Sequence, residues 1–120
     1  NFSNQGTLSG TTVVHTAPDN NRSEVNSLRF TNAAAFVLTL QKYTSATAAT
    51  TVIYSLTLSA GDILTDDNPY HLDQNDRLEA ISSVAGTRFI VEGEIYQTLR
   101  SKMQVVDSEG YLKVKLVGGP

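Results

Sequence analysis

Seven residues, Leu58-Ser59-Ala60-Gly61-Asp62-Ile63-Leu64, return at positions 72 to 78 as Leu72-Asp73-Gln74-Asn75-Asp76-Arg77-Leu78, so the chain spells L-x-x-[G/N]-D-x-L twice. Gly and Asn enter left-handed backbone geometry at least cost, and a following Asp bonds nearby backbone N–H groups. Each copy therefore reads as a tight corner between strands, with Gly61, Asp62, Asn75 and Asp76 as the turn-forming residues. A corner is architecture and not chemistry, so neither Asp is assigned a direct functional role.

The rest of the chain agrees with a strand-and-turn reading. Thr, Ser, Val, Ile and Tyr are plentiful while Met occurs once, the usage of pleated surfaces and not of helices. At 120 residues with 40% hydrophobic content, one domain with a modest core is expected. The absence of Cys excludes disulfides and thiolate metal sites. No apolar run approaches the length of a membrane span, and the start Asn1-Phe2-Ser3-Asn4-Gln5-Gly6 resembles no signal peptide, so a chain without membrane association is expected.

Residues 1–10 are polar, carry Gly6 and Gly10 and show no periodicity, which predicts a mobile or partner-ordered arm outside the core. Strands are predicted over 11–16, 24–31 and 36–43, with Leu28 and Phe30 sharing a face opposite Arg29, and with Phe36, Leu38 and Leu40 facing inward. Residues 44–51 read as a long hairpin loop. Val52, Tyr54, Leu56 and Leu58 then alternate with Ile53, Ser55 and Thr57, and short strand pieces follow at Ile63 and Leu72. Residues 77–83 and 88–97 form the last pair, joined as a hairpin by Val84-Ala85-Gly86-Thr87. The predicted fold is all-β: a single antiparallel β-sandwich over 11–97, jelly-roll or immunoglobulin-like, with a C-terminal β-hairpin extension over 98–120.

That extension carries a regular apolar row, Leu112, Val114 and Leu116, flanked by Tyr111, Lys113 and Lys115. A lone two-stranded hairpin is marginal in water, so the row needs a surface, either the chain's own body or a neighbouring subunit, and residues 111–116 are expected to form the subunit contact. Charge fits this division. Of twelve acids only Asp107 and Glu109 lie beyond residue 97, whereas Arg100, Lys102, Lys113 and Lys115 are four of the nine bases, leaving ten acids against five bases in the body.

Six acids, Asp62, Asp66, Asp67, Asp73, Asp76 and Glu79, crowd around the duplicated corner with Arg77 alone among them. Clustered carboxylates are calcium chemistry, but no D-x-[D/N]-x-[D/N]-G run occurs, so they read as a solvated acidic rim with no metal or other cofactor. His15 and His71 are too few for a three-histidine site, and neither G-x-S-x-G nor H-E-x-x-H is present. Glu92 and Glu94 share one strand face, as a glycosidase pair could, yet acids on the solvent side of a strand are the ordinary case. An acidic body disfavours nucleic acid. No enzyme is expected.

The order Thr16-Ala17-Pro18 with Arg22, Thr31-Asn32, the two corner repeats, and Ala85-Gly86 leading to Val91, Gly93-Glu94-Ile95-Tyr96 resembles small β-sandwich structural proteins of tailed bacteriophage virions. The resemblance implies a non-enzymatic virion subunit, assembled in the host cytoplasm as a homo-oligomer with copies of itself and neighbouring virion proteins, in head decoration or head–tail joining. The alternative is a carbohydrate- or receptor-binding sandwich module, assisted by calcium at the acidic turns, with Tyr43, Tyr70 and Tyr111 as candidate platforms in a chain that has no Trp.

Overall fold

A computed structural model of the chain describes residues 1–97. Among them are nine strands and no helix: β1 (Phe2–Thr7), β2 (Thr11–Thr16), β3 (Asn21–Thr31), β4 (Phe36–Thr44), β5 (Ala49–Leu58), β6 (Ile63–Asp66), β7 (Tyr70–Leu72), β8 (Arg77–Ser82) and β9 (Arg88–Gln97). The first sheet runs β1-β9-β3-β6, with β7 also paired to β3, and the second runs β2-β8-β4-β5. All pairings are antiparallel, and the two sheets pack together as a β-sandwich. Positions 111–116, read as a subunit contact, lie outside the described residues.

The core comes from alternate positions of the central strands: Val25, Leu28 and Phe30 on β3, Leu38 and Leu40 on β4, Leu78 and Ala80 on β8, Phe89 and Val91 on β9. Burying each large side chain contributes on the order of 1.5 to 3 kcal/mol before chain entropy is counted. Strict alternation would not put both Val25 and Leu28 inside. An extra residue, Asn26, bulges out of β3 between the partners of Gly93 and Glu92 and resets the parity. Val14 does the same on β2, which lets Val14 and His15 both turn inward.

A third irregularity alters β5. Ile53 is the extra residue against Leu40-Gln41, so Tyr54 faces the core while Val52 pairs with outward Gln41 and is 57% exposed. The alternating row of Val52, Tyr54, Leu56 and Leu58 therefore does not keep to one face, since Val52 leaves it. Leu56 is exposed as well, because β5 is an edge strand and its partner across the sandwich, β6, is only four residues long.

Three other expectations need correction. Residues 2–7 are not an unstructured arm: β1 is the edge strand beside β9, with Phe2 opposite Gly93, and Leu8 after it is 2% exposed. Polar residues suffice there because an edge strand against solvent needs backbone pairing and little burial. Pairing of β4 with β5 continues to Thr44 opposite Ala49, which shortens the 44–51 loop to a turn at 45–48 with Ala48 at φ +52°. The connection Val84–Thr87 is no hairpin, since β8 and β9 lie in different sheets. It is a corner between them, closed by Thr87 Oγ1, which donates to Val84 O at 3.0 Å and bonds Ser82 Oγ at 2.7 Å.

Candidate functional site

The two repeat corners have one geometry. Gly61 sits at φ +80° and Asn75 at φ +66°. In each, the Asp N–H donates back three residues at 3.0 Å, from Asp62 to Ser59 O and from Asp76 to Asp73 O. Each Asp carboxylate then accepts the N–H of that same upstream residue at 3.1 Å. The left-handed residue anchors the corner elsewhere: Gly61 N–H donates to Asn32 O at 3.0 Å and Asn75 N–H to Ala17 O at 2.8 Å.

Their surroundings differ. Asp62 is exposed, whereas Asp76 is 2% exposed and also accepts the Ser45 N–H at 2.8 Å, with Lys42 Nζ at 3.8 Å. Asp76 thus ties the second corner to the β4–β5 turn.

Half of the acids expected on a solvated rim are in fact buried: Asp66, Asp76 and Glu79. Each has donors, which is the condition for burying a carboxylate. Asp66 accepts Tyr70 OH at 2.6 Å and Tyr54 OH at 2.8 Å on one oxygen, and the backbone and side-chain amides of Asn68 at 3.0 Å on the other. Burial alone would raise this carboxyl, but the bonds from Tyr70, Asn68 and Tyr54 outweigh it and hold it below the usual range. Burial, then the bond to Asp66 and its charge, push the Tyr70 hydroxyl up to about 12, and the same causes raise Tyr54. Tyr54 is on β5 and Tyr70 on β7, so this cluster clasps the edge of one sheet to the other.

Glu79 accepts Gln41 Nε2 at 2.8 Å and Arg77 Nε at 3.1 Å, while the Arg77 guanidinium lies 3.9 Å over the Tyr43 ring. His15 is buried, its Nε2 2.9 Å from Ser23 Oγ and its ring stacked on Phe2 at 3.9 Å. Burial holds its pKa below the ordinary value. His71 is exposed on β7. No group of three or more His, Asp or Glu among the described residues is placed to hold a metal ion.

These groups are occupied in holding strands and corners. Among the surfaces left open is the outer face of the first sheet, beside the exposed Val13, Val37, Val52, Ile53 and Leu56 of the second. Register places Thr7, Arg88, Thr31 and Ile63 side by side on β1, β9, β3 and β6, and Gln5, Ile90, Arg29 and Thr65 in the next outward row. Ile63 is 63% exposed and helps line a shallow groove of about 440 Å³ with Arg29, Arg88 and Ile90.

Farther along β9, the same face carries Glu92 and then Glu94, with Glu24 opposite Glu94 on β3. Among the described residues, Arg29, Arg88, Glu24 and Glu92 have no ion-pair partner, and Glu94 meets Asn1, through its exposed amino group at 3.8 Å and its side-chain amide. Sequence reading placed Arg29 outward but missed the cluster. Its signal was Arg and Ile at outward positions of two strands, which only the β3–β9 register brings together.

Compared with known proteins, the chain matches no family model, and no curated protein or solved structure matches it at significance.

Proposed function

We propose that the chain is a non-enzymatic structural subunit that works by packing against copies of itself and neighbouring proteins, in the virion of a tailed bacteriophage as a head-decoration or head–tail joining component. The observation that carries this reading is the outer face of the first sheet, where Arg29, Arg88, Ile63 and Ile90 lie together on paired strands. Exposed apolar residues rimmed by charge on a rigid sheet suit a protein contact. The buried ionisable groups Asp66, Asp76, Glu79 and His15 are engaged in internal bonds. Of the tyrosines named for a sugar-binding module, Tyr43 lies beneath Arg77, Tyr70 is tied to Asp66 and Tyr111 is outside the described residues, while Tyr96 is exposed. The apolar row at 112, 114 and 116 belongs to the same proposal as a second contact.

Antibody raised against the purified chain tests the proposal. Gold label on phage particles recovered from the source of the gene is the expected result. Homogeneous particles in which mass spectrometry finds none of the chain would overturn it.

A further inference from the structure

We infer that the outer face of the first sheet is self-complementary and that its occupant is the same face of a second copy, related by a twofold axis. This rests on the assembly reading above and names the partner for that face.

The argument starts from charge order along one strand. Outward positions of β9 read Arg88, Ile90, Glu92 and Glu94, in steps of about 6.6 Å. The neighbouring strand repeats the order in register: Arg29 lies beside Ile90 and Glu24 beside Glu94, with Arg22 beside Tyr96 one step beyond. One end of the face is therefore basic and the next stretch acidic, with their centres roughly 14 Å apart.

A twofold axis in the plane of the face, crossing the strands between the levels of Ile90 and Glu92, exchanges the two ends. Arg88 of one copy then lies over Glu94 of the other, beside Glu24, while Ile90 lies over Glu92 and Arg29, one strand away, comes over Ser27 at the level of Glu92. Because a twofold contact is isologous, every such pair is made twice. Parallel stacking without the flip would oppose arginine to arginine and carboxylate to carboxylate, which selects the antiparallel arrangement.

Ile63 and Ile90 flank the arginines, so closing the face removes water from around the new ion pairs and lowers the local dielectric. The face is four strands wide and about ten residues long, roughly 600 Å² in projection. That lies below the ~800 Å² per partner of a standard interface, so the contact belongs to the weak, salt-sensitive class that multiplies in an assembly.

The test is sedimentation velocity on the full chain. Expected are a concentration-dependent dimer at low ionic strength, weakened at 0.5 M salt by more than about tenfold in Kd, and monomers for Arg29→Glu/Arg88→Glu and for Glu92→Arg/Glu94→Arg alone. An equimolar mixture of the two reversed variants should recover the dimer. Circular dichroism melts check that each variant is folded; should either reversal unfold, Arg88→Ala and Glu94→Ala, alone and together, measure the same coupling. A monomeric wild type at several hundred micromolar, reversed variants that dimerise like wild type, or a mixture of folded variants that stays monomeric would overturn the inference. A monomer still carried on particles would sink this face-to-face contact and leave the assembly reading standing. A dimer absent from every particle would do the reverse.

Discussion

Asp62 and Asp76 make the same hydrogen bond in unlike surroundings, each accepting the N–H of the residue three positions upstream at 3.1 Å, one in solvent and the other in the interior. One turn has thus been used twice, once as a surface corner and once as a buried junction.

Replacement by Ala should separate the two roles. Asp62→Ala loses one exposed bond and should cost about 0.5 to 1 kcal/mol. Asp76→Ala also orphans the Ser45 N–H and removes the partner of Lys42, so about 2 to 4 kcal/mol is expected. Urea denaturation of the two variants measures the difference, and equal midpoints would contradict it.

Glycine is required at two positions for different reasons. A side chain at Gly61 would meet nothing within 4 Å, so Gly61→Val should cost about 1 kcal/mol or more through its φ of +80° alone. At Gly93 the added Cβ would run into Glu24 O and the Phe2 ring. Gly93→Ala should therefore cost more than about 3 kcal/mol, or detach β1, which hydrogen exchange at residues 2–7 would detect.

Acid should weaken the fold in two windows. His15 has a lowered folded pKa, so the stability it contributes is complete above its ordinary 6.5 and is lost as pH falls from there through the folded value. His15→Gln should flatten the stability profile as pH falls below 6.5. Asp66 is likewise depressed from 3.8, so its contribution persists below the histidine window and disappears only in stronger acid.

Alkali acts through the other half of the Asp66 clasp. Tyr70 is raised from 10.0 to about 12 and Tyr54 is raised as well, so their contribution is complete below pH 10 and lost as pH rises toward and through the folded values. Tyr54→Phe with Tyr70→Phe should remove this loss and leave Asp66 buried without those two donors, at a cost of about 2 to 4 kcal/mol near neutral pH. Thermal melts from pH 7 to 11 check both parts.

The sandwich and both corners were legible because alternation and left-handed turn residues are local signals, as in Phe36, Leu38 and Leu40 or Gly61 and Asn75. Bulges were not. Nothing in Val13-Val14-His15 or Val25-Asn26-Ser27 announces an inserted residue, since the bulge exists only against a partner strand. The same holds for β1, whose polar residues carry no periodic pattern and are ordered by β9, and for Asp66, whose burial depends on tyrosines from two other strands. The outer-face charge order needed the register of β3 on β9.

That register also sets when the protein can fold during its synthesis. Both β1 and the β9-facing side of β3 wait for the last described strand, and about 66 residues separate Thr31 from Gln97. At 5 to 20 residues per second the ribosome needs roughly 3 to 13 s to make that stretch. Through that interval β6 and β7 are the only β3 partners among the described strands to emerge, and the β9-side edge of β3 stays open to the wrong neighbour. A nascent chain stalled before Arg88 should accordingly recruit a holdase, and one extended past Gln97 should release it.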